Sequence, residues 1–277
     1  MEDFLFTYYT LTPGQLKRWH PGAGVILLDA AEQRDGKHYR PASLEELTRA
    51  GLDPEQAGQH VGSAVTVDVV GVLRQRARTV DFVRDLLSRT LSRPGSFGCF
   101  GLHEWAMAYR ARTNGYRHEY LDLRLGVEGT DEVVESHRIT CTHFDAFRFF
   151  QPQAVPLNQV QPTREQQRFL EQPGCLHANM DVYKWAYKLI PLVDSELIRD
   201  SFELAWEIRE MDMRAAPYDL REWGYEPIRI ETLEGKREYA RRQRGFAERS
   251  ASLRRRLLAQ LPPAATAATT SAATAEK

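Results

Sequence analysis

Apolar residues recur at helical spacing along most of this chain. Between Thr66 and Leu91 the positions Val80, Val83, Leu87 and Leu91 lie three or four residues apart, and Arg93-Pro94-Gly95 stops the run. Gly95, Gly98 and Gly101 punctuate the approach to Leu102-His103-Glu104-Trp105-Ala-Met-Ala-Tyr109, which is predicted as a helix. The period then changes. Tyr120-Leu-Asp-Leu-Arg-Leu125 alternates like a half-buried strand, Gly126-Val-Glu-Gly-Thr130 reads as a turn, and residues 133–142 read as a second strand. Helical spacing returns after His143, with a capping-box start at Thr163-Arg-Glu-Gln166 and a helix over 178–190 closed by Pro191. Asp194 or Ser195 caps a long helix to about Met213. A short extended piece at 227–231 precedes a last helix over 233–261.

The two ends and one internal stretch read differently. Residues 1–28 are aromatic and compact, with a turn at His20-Pro21-Gly22. Residues 29–65 are polar and carry two helix starts, Ser43-Leu-Glu-Glu46 and Asp53-Pro54. Residues 262–277 are almost all Pro, Ala and Thr and cannot build a core. The expected fold is therefore mainly α: a single helical domain over 1–261, a small antiparallel β-hairpin near 117–142, and a disordered Ala/Thr-rich C-terminal tail.

Composition narrows the class. With 42% hydrophobic and 27% charged residues the 277-residue chain can bury a sizeable core. Its net charge of -1 gives no overall electrostatic footprint for nucleic acid or an anionic membrane. The odd count of three cysteines, without a C-x-x-C pair, argues against a disulfide framework or a structural zinc site and fits a reducing cytoplasm. No signal-peptide pattern opens the chain, and no window reaches the ~20 apolar residues that span a bilayer. A soluble, cytoplasmic protein is expected.

Candidate chemistry concentrates in Cys141-Thr-His143-Phe-Asp145-Ala-Phe-Arg-Phe-Phe150 and Cys175-Leu-His177-Ala-Asn-Met-Asp181. If the chain is extended at His143, then His143 and Asp145 share a face about 6.6 Å apart. His-x-Asp with a distant His is the donor pattern of a facial triad, which suits non-haem Fe(II); the alternative is a satisfied histidine beside a helix-capping aspartate. His177 and Asp181, four apart on a helix, either ligate, pair with each other to fix a tautomer, or lie on a solvated face. His103 begins a helix and is a candidate ligand, with Glu104 a possible base or the partner of an arginine. His137 and His143 share a predicted strand but stand about 20 Å apart, so His137 is placed around the site rather than on the ion. Between 232 and 261 lie nine basic and three acidic residues; such a stripe can track phosphates, but a solvated Arg-rich face is the commoner outcome.

Four strings, Phe97-Gly-Cys-Phe-Gly-Leu-His-Glu-Trp-Ala-Met107, Glu135-Ser-His-Arg138, Thr142-His-Phe-Asp-Ala-Phe-Arg-Phe-Phe150 and Glu171-Gln-Pro-Gly-Cys-Leu-His-Ala-Asn-Met-Asp181, resemble a bacterial family commonly labelled 3-methyladenine DNA glycosylase. The similarity runs from residue 4 to about 261. The Gly-rich hairpin and following aspartate of helix-hairpin-helix glycosylases are missing, and the neutral balance does not suit an enzyme that flips bases out of duplex DNA. The same family includes an oxazine-forming non-haem iron oxygenase of C-nucleoside antibiotic biosynthesis. That resemblance implies an O₂-dependent oxidative rearrangement of a pyridone-type C-nucleoside to a 1,3-oxazine.

The resulting expectation is a mononuclear Fe(II) oxygenase with a nucleoside-like small-molecule substrate and O₂, without membrane or nucleic-acid partners. His143, Asp145 and His177 bind iron, with His103 as a fourth or substitute ligand. Asp181, His137 or Glu104 handle protons. Arg148, Asn179 or Lys184 meet substrate oxygens, and Phe144, Phe147 and Trp185 pack the ring. The competing readings are a nucleobase-excising, glycosylase-type hydrolase using Asp145 or Asp181, and an interaction protein built on the Arg-rich helix.

Overall fold

The computed structural model describes residues 3–33 and 36–263; the tail expected to be disordered falls, from residue 264 onward, outside the described residues. The fold is mainly helical with a small three-stranded antiparallel sheet. Six helices carry the argument: α1 Val69–Ser92, α2 Leu102–Met107, α3 Gly126–Ser136, α4 Leu176–Lys188, α5 Ser195–Ala215 and α6 Leu233–Gln260. Among the described residues, no helix is long and apolar enough to cross a membrane.

The caps fall where the sequence puts them. Ser43 and Asp53 form capping boxes, and the Asp194 side chain accepts a hydrogen bond from Leu197 N–H at 2.7 Å to start α5. Gln260, at the end of α6, accepts from the Asp194 backbone N–H at 2.9 Å and donates to its carboxylate. One aspartate thus joins the start of α5 to the end of α6. At the Thr163–Gln166 capping box the expectation fails: the following helix is the single turn Gln167–Leu170, without a side-chain cap.

The helix α4 packs against α5 and α6, and α6 also packs on α1. In α1 the buried positions Val72, Val80, Val83, Leu86 and Leu87 form the expected apolar stripe. By contrast α4 is buried on every side, from Leu176 to Tyr187 with Lys184 alone only partly covered. An all-round buried helix is normally apolar. This one carries His177, Asn179 and Asp181, so each must find a partner inside the protein.

The hairpin near 117–142 does not form. Residues 126–136 are the helix α3, with Thr130, Val133 and Val134 buried at the three- and four-residue spacing of a helical face. The alternating segment before it pairs instead with a distant stretch: Leu123 bridges Tyr218, Arg124 N–H donates to Pro217 O at 2.7 Å, and Asp219 N–H donates to Asp122 O at 2.8 Å. The sheet lies elsewhere, in strands β1 Ile26–Leu27, β2 Tyr39–Pro41 and β3 Val65–Val67, ordered β1-β3-β2. Strands of two or three residues are too short to display a period in sequence.

Replacing Asp194 with Ala removes the cap and the clasp to Gln260 together, and is expected to lower stability by about 1–2 kcal/mol, with Asp194→Asn milder. Urea denaturation of the two variants measures this; equal stability of Asp194→Ala and wild type would show that the clasp contributes nothing.

Candidate metal centre

Among the described residues, two groups of buried side chains can hold a metal ion, and both meet at α4. The first is His103 from α2, His177 from α4 and Asp212 from α5; the second is His143, Glu171 and Asp181. Within each group the donor atoms lie within 4.8 Å of one another. His177 stands between the groups: its ring centroid is 4.5 Å from that of His103 and 5.4 Å from that of His143.

Local structure explains how the residues arrive there. Gly101 takes a left-handed conformation (φ +70°), open to glycine without strain, and turns the chain into α2, which presents His103. The indole N–H of Trp105 on the same helix donates to Ala215 O at 2.9 Å, fixing α2 against the end of α5. On α5, Arg209 and Asp212 are a turn apart and buried beside the apolar residues Ile208, Met211 and Ala215. Arg209 donates to Glu104 at 2.9 Å and lies 3.5 Å from Asp212 Oδ2.

The two groups differ in how far the protein satisfies them. In the second, Asp181 accepts hydrogen bonds from Tyr9 Oη at 2.9 Å and Lys184 Nζ at 2.6 Å. Glu171 Oε1 accepts from Gln167 Nε2 at 2.5 Å. His143 Nε2 lies 3.3 Å from Glu171 and 3.5 Å from Asp181, a charge contact without directed hydrogen-bond geometry. Burial alone would favour neutral imidazole, but the two carboxylates outweigh it and hold the His143 pKa up at about 9. This group is therefore balanced by a proton.

The first group is left open. Asp212 is fully buried; its Oδ2 is 3.2 Å from His103 Nε2, whereas its Oδ1 has no hydrogen-bond partner among the described residues. His177 makes ring contacts but no hydrogen bond among those residues. Burial, followed by the neighbouring His103 and His143, drives the His177 pKa well below its ordinary value, so the ring is neutral and competent to ligate. Each unpaired buried polar group costs about 1–3 kcal/mol, and a cation between His103, His177 and Asp212 would offset that cost. Two imidazoles and one carboxylate form the facial-triad donor set. The residues fit a metal.

Cavities reach the centre from two sides. On one, Phe4, Tyr8, Arg117, Asp145, Phe149 and Arg209 line a narrow cleft together with Glu104 and His177, with room for about one water, ≈ 20 Å³. On the other, Cys99, Cys141 and Cys175 line a cavity of similar size, ≈ 20 Å³, together with His103 and His177. All three cysteines of the chain thus border one space, although no metal-ligand group among the described residues includes a thiol.

The sequence-derived site is partly corrected. His103 and His177 come together as expected, but His143 belongs to the neighbouring group. Asp145 is outside both, because Lys184, Arg148 and Arg164 surround its carboxylate at 3.4, 3.3 and 3.5 Å. It also caps no helix; the turn Phe144–Phe147 starts from His143, and Asp145 sits inside it. Asp181 turns to His143 and Lys184 rather than to His177. Glu104 is the arginine-paired carboxylate, and Arg209 with His103 holds its pKa below the usual range despite burial. His137 follows α3, and its Nδ1–H donates to Val133 O at 2.7 Å, outside both groups. Asn179 is consumed internally by Arg254 and Pro173 O. Trp185 packs on Phe82, and Phe147 on Phe150, whereas Arg148 and Lys184 do line an outer cleft. Much of the Arg-rich helix is paired with Glu238, Glu207 and Asp200 and presents a solvated face.

Sequence reasoning missed Asp212, Arg209 and Glu171. The signal for the first two was an acid and a base inside the apolar stripe of a long helix. Comparisons with protein-family models, curated proteins and solved structures find no match to this chain.

His177→Ala and Asp212→Asn are expected to weaken Co(II) or Fe(II) binding by more than about 100-fold, while Asp145→Asn stays within about threefold of wild type. Titration followed by cobalt absorption or calorimetry checks this, and loss of binding in Asp145→Asn would restore the His143–Asp145 site.

Proposed function

We propose that the protein is a mononuclear non-haem iron oxygenase, using O₂ to rearrange a pyridone-type C-nucleoside ring to a 1,3-oxazine. One observation supports the metal assignment above the others: His103, His177 and Asp212, from three helices, form an incompletely satisfied two-imidazole, one-carboxylate set at the end of a cleft. The choice of O₂ chemistry and of substrate rests on the family resemblance of the four sequence strings.

Ferrous iron held there would supply the one-electron chemistry that lets O₂ react with a spin-paired organic ring. The chain's own residues do the rest. Arg209, between Glu104 and Asp212, pairs with both carboxylates and, against burial, holds the Glu104 pKa down, fixing Asp212 toward the imidazoles. Its Nε–H is buried without a partner among the described residues and is available to a substrate oxygen in the cleft. The Arg209 guanidinium also lies 3.8 Å from the Phe4 ring centroid, closing the cleft wall. The His143–Glu171–Asp181 group holds a proton at His143 beside His177, where it can serve proton transfer without leaving the buried region. Phe4, Tyr8 and Phe149 line the cleft, and their aromatic faces suit contact with a planar ring.

Anaerobically prepared protein is expected to take up about one iron per chain and to consume O₂ only with an electron-rich hydroxypyridone nucleoside present, both effects abolished by a chelator. Glycosidic-bond cleavage that persists in EDTA would instead establish a hydrolase.

A further inference from the structure

Positive charge lines a cleft outside the metal centre. Phe4, Tyr8, Arg117, Asp145 and Phe149, which line the inner cleft below His177, also line an outer cleft of about 1070 Å³ that continues to the surface. Five cationic side chains border that outer part: Arg117, Arg148, Arg164, Lys184 and Lys188. Asp145 is the sole carboxylate among its lining residues.

The pairing leaves much of this charge uncompensated. Lys184 is held by Asp181 at 2.6 Å, and Arg148 and Arg164 share Asp145 at 3.3 and 3.5 Å. Arg117 and Lys188 have no carboxylate within 4.0 Å among the described residues; they rest on aromatic rings, Arg117 on Phe149 at 4.7 Å and Lys188 on Trp185 at 5.5 Å. Burial, followed by the Lys184 charge, lowers the Lys188 pKa, as expected for an ammonium among uncompensated cations. Cations left unpaired at the wall of a cleft attract an anion there. On α6, Arg241, Arg242, Arg249 and Arg256 have carboxylate partners, and Arg237, Arg244 and Arg255 are exposed on the helix surface rather than gathered in a cleft.

We infer that this outer cleft binds a phosphomonoester carried by the substrate, so that the enzyme acts on a phosphorylated ring compound with its phosphate at Arg117 and Lys188 and its ring toward His177. A dianion matches two unpaired cations plus the arginines that share Asp145; a monoanionic carboxylate would leave the excess standing. The inner cleft is far too narrow for a duplex. This inference rests on the proposed function for the ring's destination, but the anion site is independent of the metal.

Calorimetric titration of the metal-free, full-length protein at low salt tests it, with uridine, uridine 5′-monophosphate, a uridine 5′-carboxylate and inorganic phosphate as probes. The monophosphate is expected to bind at least about tenfold tighter than uridine or the carboxylate, with phosphate competing and with affinity falling as salt rises. The double variant Arg117→Gln/Lys188→Gln, which breaks no ion pair, should bring the monophosphate to uridine's affinity while Fe(II) binding is retained. His177→Ala should lose the metal and keep the phosphate preference, so failure of the iron reading is told apart from failure of this one. Equal binding of nucleoside and monophosphate, an unchanged preference in the double variant, or no binding of monophosphate and phosphate would overturn the inference. So would an oligonucleotide that binds more tightly than the mononucleotide.

Discussion

The constraint on which the structure turns is the burial of polar side chains on α4. A helix covered on nearly every side offers its side chains little water, so His177, Asn179 and Asp181 depend on protein or ligand partners. Asn179 is met by Arg254 from α6 and Asp181 by Tyr9 and Lys184. His177 alone receives no hydrogen bond among the described residues. The neighbouring helices bring to it another imidazole and a carboxylate with an unpaired oxygen, and that combination turns a packing problem into a ligand site.

A carboxylate oxygen of Asp212, without a partner among the described residues, separates the two adjacent groups. With neutral imidazoles, Asp212, Glu104 and Arg209 carry one net negative charge, and so do Glu171, Asp181 and Lys184. The second group is neutralised by protonating His143, which its carboxylates favour. In the first, against burial, Asp212 likewise raises the His103 pKa, but His177 stays neutral and that one Asp212 oxygen has no partner, which leaves donors for a divalent cation.

Local signals made much of the fold legible. The stripe through Val80, Val83 and Leu87, the caps at Ser43, Asp53 and Asp194, and the stop at Pro191 all act within a few residues, and all appear in the structure. Leu121 to Leu125 misled because its alternation serves contacts to 217–219, and Val133 with Val134 because β-branched residues at i and i+1 suit a strand as well as a helix face. At the site, the aromatic setting of His103 and His177 pointed to burial. Asp145 drew attention by its spacing from His143, yet surrounding cations claim it. Asp212 lies 109 residues from its partner His103, a pairing set by the packing of α2 on α5 and invisible to local spacing.

The central claim is that His103, His177 and Asp212 share one ion. Anomalous diffraction at the iron edge, from crystals grown anaerobically with ferrous iron, measures this directly. The account predicts a single strong peak among the His103 and His177 imidazoles and the Asp212 carboxylate. A peak at His143, Glu171 and Asp181 instead, or no iron bound near α4, would contradict it.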